Sequence, residues 1–255
     1  MGQLLSTYLI YIVVLILGAL FVLNSKQNDG FQGGNLENIA IIFSGRIKGY
    51  QHVLPKLQAI QERYNPVIFC SLNDIAFTDD IAAFCKALNI PKGQVSIEQT
   101  VLPKWSDRCN LMNPVLNTYS MFYHENKAFA LMEDYMKMNH VKFDCVLYYR
   151  ADMNSTDTLE LVVPEKNTIY LPANRDYGGY NDRMAYGDYQ SMKVYCGLIN
   201  SFKSLCNDPK RGPINAEGML SKYLTEKQIR ISPIEYNTDL HISRNSKFES
   251  GIFDQ

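Results

Sequence analysis

The chain has 255 residues, a formal net charge of −1 and a pI near 6.4. Without a Lys/Arg cluster, that balance speaks against a polyanionic partner, and no nucleic-acid binding is expected. Once about 30 N-terminal residues are set aside, the remainder suits one large domain able to bury a sizeable core without disulfides.

Leu4 to Leu23 carries no charge and is dominated by Leu, Ile, Val, Tyr and Phe. Twenty residues of helix span roughly 30 Å, the thickness of a bilayer core. No basic residue precedes the run and the run is long, so residues 1–24 are expected to be a retained transmembrane anchor rather than a cleaved signal peptide. The Met1-Gly2 start also fits a myristoylation pattern, but a spanning helix needs no acyl chain. The expected location is a single-pass protein of the Golgi, ER or a virus-associated membrane, with its orientation left open by the single nearby cation, Lys26. Residues 25–37, rich in Asn, Gly and Gln, read as a flexible stalk, and residues 38–255 as the globular domain.

Within that domain, Ile39–Phe43 is a short apolar run typical of a buried parallel strand. Val53, Leu54, Leu57 and Ile60 follow at helical spacing, then a strand over Pro66–Cys70. A helix opened by Asp79 and Asp80 and a short strand at Val95–Ile97 complete a β-α-β-α-β order, which implies a parallel sheet with helices on its faces. Residues 103–114 read as a loop, and a long helix over Val115–Asn139 leads to a strand at Cys145–Tyr149. Further on, the pattern predicts a strand at Thr168–Leu171, a Gly-rich loop at 174–182, helices at Tyr189–Phe202 and Ala216–Thr225, and a last strand at Ile229–Ile231. Of six cysteines, Cys70 and Cys145 fall in strands and read as buried thiols, while Cys196 and Cys206 are a possible bridge in a lumenal domain.

Asp152 stands just past the C-terminal end of the Cys145–Tyr149 strand, where open α/β sheets bind ligands. A carboxylate there can hold a divalent metal against a diphosphate, or simply cap a turn. Arg150 can pair with a phosphate or with Asp152. In the loop Asp176-Tyr177-Gly178-Gly179-Tyr180-Asn181-Asp182, Gly178 and Gly179 allow close backbone approach, and Asn181 and Asp182 can meet sugar hydroxyls. Glu217 is either a first-turn glutamate favoured by the helix dipole or a general base. His241 lies in a tail that could bring an imidazole to a metal, and Ser44-Gly45-Arg46 can meet a base, ribose or phosphate at the end of the first strand. Nucleotide P-loops, GxGxxG, Gly-x-Ser-x-Gly and His-Glu-x-x-His are all absent, which weighs against kinases and hydrolases.

Taken in order, Ser44-Gly45-Arg46, the Arg150-Ala151-Asp152 strand end, Pro172, Gly179-Tyr180-Asn181-Asp182, Tyr186-Gly187-Asp188, Ala216-Glu217-Gly218 and His241 resemble a GT-A-type glycosyltransferase, closest to small viral and algal members. The resemblance implies a GT-A-like, Rossmann-type mixed sheet flanked by helices. It also implies a nucleotide-sugar donor along Ser44, Gly45, Arg46, Arg150, Asp152, Gly178, Gly179 and Asn181, with catalysis by Glu217 and Asp182. Mn²⁺ or Mg²⁺ would sit at Asp152 and His241, although Arg150 stands where the family's Asp-x-Asp has its first Asp. The expected reaction is inverting transfer of a sugar to a hydroxyl of a glycan or glycoprotein. The competing expectation is an inactive domain of this type that binds glycans or partner proteins. Asn154-Ser155-Thr156 is a glycosylation sequon two residues past Asp152 and is expected to be unmodified.

Overall fold

Ile39–Gly45 (β1) alternates its apolar side chains between two cores: Ile39, Ile41 and Phe43 face one side, Ala40 and Ile42 the other. A strand buried on both faces belongs in the middle of a sheet, and β1 lies between Val67–Leu72 (β2) and Cys145–Arg150 (β4), parallel to both. This is a computed structural model, which describes residues 36–47, 50–73, 78–150, 153–155, 157–207 and 213–240. The anchor expected over 1–24, nearly all of the stalk, Asp152 and His241 lie outside the described residues. Among the described residues no helix is long and apolar enough to cross a membrane.

The main sheet has seven strands in the order β3-β2-β1-β4-β7-β6-β8, with β3 at Val95–Ile97, β6 at Thr168–Pro172, β7 at Met184–Gly187 and β8 at Arg230–Ile234. All pairs are parallel except those of β7, which runs antiparallel to both β4 and β6. The architecture is thus α/β, a mixed sheet flanked by helices. Leu54–Tyr64 (α1) and Thr78–Ala87 (α2) cover one face through Leu57, Ile60, Ile81 and Phe84. Val115–Asn139 (α3), Tyr189–Cys196 (α4), Phe202–Cys206 (α5) and Ala216–Glu226 (α6) cover the other through Phe122, Met132, Tyr195, Phe202 and Leu220, among others.

Three local readings need correction. Tyr186-Gly187-Asp188, which the resemblance implies is a turn, is not one: Tyr186 and Gly187 end β7, and Asp188 caps α4 by accepting the Ser191 amide at 2.6 Å. The single helix expected over 189–202 breaks at Gly197 into α4, a 3-10 turn at Leu198–Ser201 and α5. Cys206 is bonded to Cys109 across a sequence separation of 97, and Cys196 is a buried free thiol. Cys70 and Cys145 are buried thiols as expected. The last strand runs three residues past Ile231, through Pro233, because β8 is an edge strand paired only with β6, where a missing N–H is tolerated. A second, two-stranded sheet pairs Met153–Asn154 (β5) with Asp239–Leu240 (β9), so the chain after β8 returns to the segment following β4.

Candidate active site

Because β1, β2 and β4 are parallel and in register, Ser71, Ser44 and Arg150 stand level across the C-terminal edge of the sheet. Gly45 follows Ser44 with φ of 97°, a left-handed conformation that turns the chain away at low energy for glycine alone. Ser44 is buried and donates through Oγ to Tyr148 Oη at 3.4 Å, while Arg46 is exposed. Since β7 runs opposite to β4, its entry lies at this same edge. The Arg150 amide donates to the Arg183 carbonyl at 3.1 Å, placing Asp182 and Arg183 beside Arg150. The Arg150 guanidinium and Asp182 carboxylate are 3.9 Å apart and largely shielded from solvent.

The Gly-rich loop connects β6 to β7 and docks on the start of α6. Tyr180 N donates to the Glu217 carbonyl at 3.1 Å, and Asn215 Nδ2 donates to the Tyr177 carbonyl at 3.0 Å. Gly179 packs so tightly on the Glu217–Gly218 peptide that any Cβ would overlap it. Gly178, with φ of 83°, and Tyr177, with φ of 44°, form the tight turn above this contact. Asn215 caps α6, accepting the Gly218 amide at 2.9 Å. Loop docking and helix cap together bring Glu217 to Asp182, Arg150 and Arg183. Half-burial first, and then the Asp182 charge, raise the Glu217 carboxyl above its usual range, while Arg183 and Arg150 oppose the rise.

The structure therefore brings together Ser44, Gly45, Arg150, Gly179, Asp182 and Glu217 at the sheet edge and the loop docked on it. The Asn181 amide is committed within the fold: Nδ2 donates to the Asn174 carbonyl at 2.6 Å and to Thr238 Oγ1 at 2.8 Å, and Oδ1 accepts the Arg183 amide at 2.9 Å. It holds the loop rather than presenting itself to a ligand. Asp152 and His241 lie outside the described residues, but their chain neighbours Met153 and Leu240 are paired across the small sheet.

Three residues escaped the sequence reading. Arg183 is buried, donates through Nη1 to the Thr238 carbonyl at 2.9 Å and lies under the Tyr177 ring at 5.9 Å. Glu125 is fully enclosed on α3 and neither of its carboxylate oxygens has a hydrogen-bond partner. Burial, and then the Asp182 charge, push its carboxyl well above the usual range. Its position three residues after Phe122 and four before Phe129 lay on the apolar stripe and was the available signal. His124, also buried, bridges Ser71 Oγ through Nδ1 (2.8 Å) and Thr100 Oγ1 through Nε2 (2.9 Å). Burial lowers its pKa to about 4.

Among the described residues no group of three or more His, Cys, Asp or Glu is arranged to hold a metal. The site's donor set explains this: its two carboxylates, Asp182 and Glu217, stand among the guanidiniums of Arg150 and Arg183, and these favour an anion rather than a cation. No family model matches the chain, and no curated protein matches it.

Proposed function

We propose that the chain is a glycosyltransferase of the GT-A type that moves a sugar from a nucleotide-sugar to a hydroxyl of a glycan or glycoprotein. One observation carries this reading: Arg150, Arg183, Asp182 and Glu217 gather at the C-terminal edge of a mostly parallel sheet, where such sheets bind ligands. Arg150 and Arg183 supply charge that a leaving diphosphate requires. Glu217, with a raised pKa, is the base that takes the acceptor proton as the hydroxyl attacks the anomeric carbon, giving inversion. Asp182 stays paired with Arg150 and tunes Glu217.

A divalent cation does not fit the described residues, so no step is assigned to one. Mn²⁺ or Mg²⁺ is proposed at Asp152 and His241, which lie outside the described residues. The Cys109–Cys206 bond suits an oxidising compartment and so supports a lumenal domain on a membrane anchor of the Golgi, ER or a virus-associated membrane. The Arg150–Asp182 ion pair, which neutralises a site carboxylate, favours a second reading: an inactive domain of this type that binds glycans or partner proteins.

The deciding experiment screens nucleotide-sugars for donor hydrolysis and transfer with Mn²⁺, Mg²⁺ or EDTA, using the native chain and the Glu217→Gln and Asp152→Ala variants. Turnover of one donor, lost in Glu217→Gln, is expected. Nucleotide binding with no turnover under any condition would favour the inactive domain, and no nucleotide binding would sink the transferase reading.

A further inference from the structure

Beside the charged cluster, the outer face of α6 and the Gly-rich loop enclose an open groove of about 620 Å³. Gly218, Ser221, Lys222 and Thr225 line its floor at helical spacing, Tyr177 and Gly178 form one wall, and Met112 and Ile214 lie at its side. Ser221 is four residues after Glu217, so the groove runs to the edge of the site. Three features single out Tyr177. The residue is 56 % exposed, unusual for so large an aromatic side chain. Its backbone sits at φ of 44°, fixed there by the Asn215 bond to its carbonyl. Its ring rests on Arg183, the guanidinium whose charge reaches Glu217.

We infer that this groove is the acceptor subsite and that its ligand is a carbohydrate chain, one ring of which stacks on Tyr177. The ligand class rests on the glycosyltransferase reading, and the groove's chemistry fits it. A sugar ring has an apolar C–H face, which matches an exposed tyrosine, and a rim of hydroxyls. The Ser221 hydroxyl and the Lys222–Glu226 ion pair (3.9 Å) offer donors and acceptors along one helix face to that rim, and the Thr225 hydroxyl, whose proton goes to the Ser221 carbonyl at 2.8 Å, offers an acceptor. An apolar peptide would find Met112, Pro213 and Ile214 at the side but a floor of Ser221, Lys222 and Thr225. A strongly charged ligand would find Lys222 already beside Glu226. The groove adjoins Glu217 in the chain: Asn215 and Gly218, on either side of that residue, both line it, and the Tyr177 carbonyl accepts from Asn215 Nδ2 at 3.0 Å.

The test titrates the full chain in detergent micelles with fluorescent chitotetraose, maltotetraose and an N-acetyllactosamine oligomer, and separately with UDP, GDP and CMP. Wild type, Tyr177→Phe and Tyr177→Ala are compared, with circular dichroism confirming that each is folded. At least one oligosaccharide is expected to bind, with affinity reduced about tenfold in Tyr177→Ala and kept within about twofold in Tyr177→Phe. Absence of oligosaccharide binding, or equal affinity in Tyr177→Ala, overturns the subsite. The nucleotide titrations keep the two ideas separate. Nucleotide binding with glycan affinity indifferent to Tyr177 sinks the subsite and leaves the transferase. Tyr177-dependent glycan binding without any nucleotide bound sinks the transferase and leaves the subsite.

Discussion

At the scale of single residues, the unusual chemistry lies in three titrating groups. In the proposed reaction Glu217 must be ionised to accept a proton, so activity is expected to rise with pH through a pKa raised above the ordinary glutamate value. Glu217→Gln is expected to lower kcat by about 10²- to 10⁴-fold and to abolish that acidic limb, as read from a pH–rate profile. Glu125 acts on stability. Its folded-state pKa is raised, so its contribution is complete below the unfolded value and is lost as pH climbs toward the folded one. Over that interval the loss approaches about 1.4 kcal/mol per pH unit, and Glu125→Gln should remove the slope in urea unfolding curves taken from pH 4.5 upward. His124 has the opposite sign. With its pKa lowered to about 4, its stabilisation is full above pH ~6.5 and declines on acidification, by about 3 kcal/mol in all. His124→Gln should flatten the acid side of the stability profile by one proton. Glu217 was legible in the sequence as a candidate, but its raised pKa was not, because that depends first on its burial in the folded site and then on Asp182, 35 positions away along the chain.

At the scale of elements, the docking of the Gly-rich loop on α6 decides the site. Gly179→Ala would press a methyl group into the Glu217–Gly218 peptide. The loop must then lift, which separates Glu217 from Asp182 without touching either side chain. The expected result is a fall in kcat of at least about 10-fold with a change in melting temperature of only a few degrees, measured by turnover and calorimetry. A native-like kcat in this variant would show that the contact is not needed. The regular elements were readable because burial imposes a period: β1, β4, α3 and α6 all follow their apolar spacing. Where the period is absent, an element or its bounds were misread. β7 has four residues, all buried, and no alternation to betray it, and β8 carries a proline that edge position alone permits. The break at Gly197 left no change in apolar pattern, since Leu198 and Phe202 continue the buried surface of α4.

At the scale of the whole molecule, the Cys109–Cys206 bond ties the loop before α3 to the end of α5. On both sides of it the chains are also paired: Asn110 N donates to the Cys206 carbonyl at 3.1 Å, and Ile214 N to the Asn110 carbonyl at 3.2 Å. With a sequence separation of 97, its removal should lower stability by about 2–5 kcal/mol. Comparing thermal unfolding of Cys109→Ser with wild type, with and without reductant, checks this: wild type should respond to reductant and the variant should not. The pairing was not legible because six cysteines allow many combinations, and no local spacing reveals which of them the fold brings together.

The reversed direction of β7 has a consequence for how such a protein can change. Both the exit of β6 and the entry of β7 lie at the edge that carries Ser44 and Arg150, so residues 173–183 form a cap hinged at both ends on one rim. Residues added to or removed from this cap would leave every strand pairing in place, while reshaping the wall that holds Tyr177. On the proposed function, a lineage could therefore exchange one acceptor for another by editing a single short surface segment, with the rest of the scaffold inherited intact.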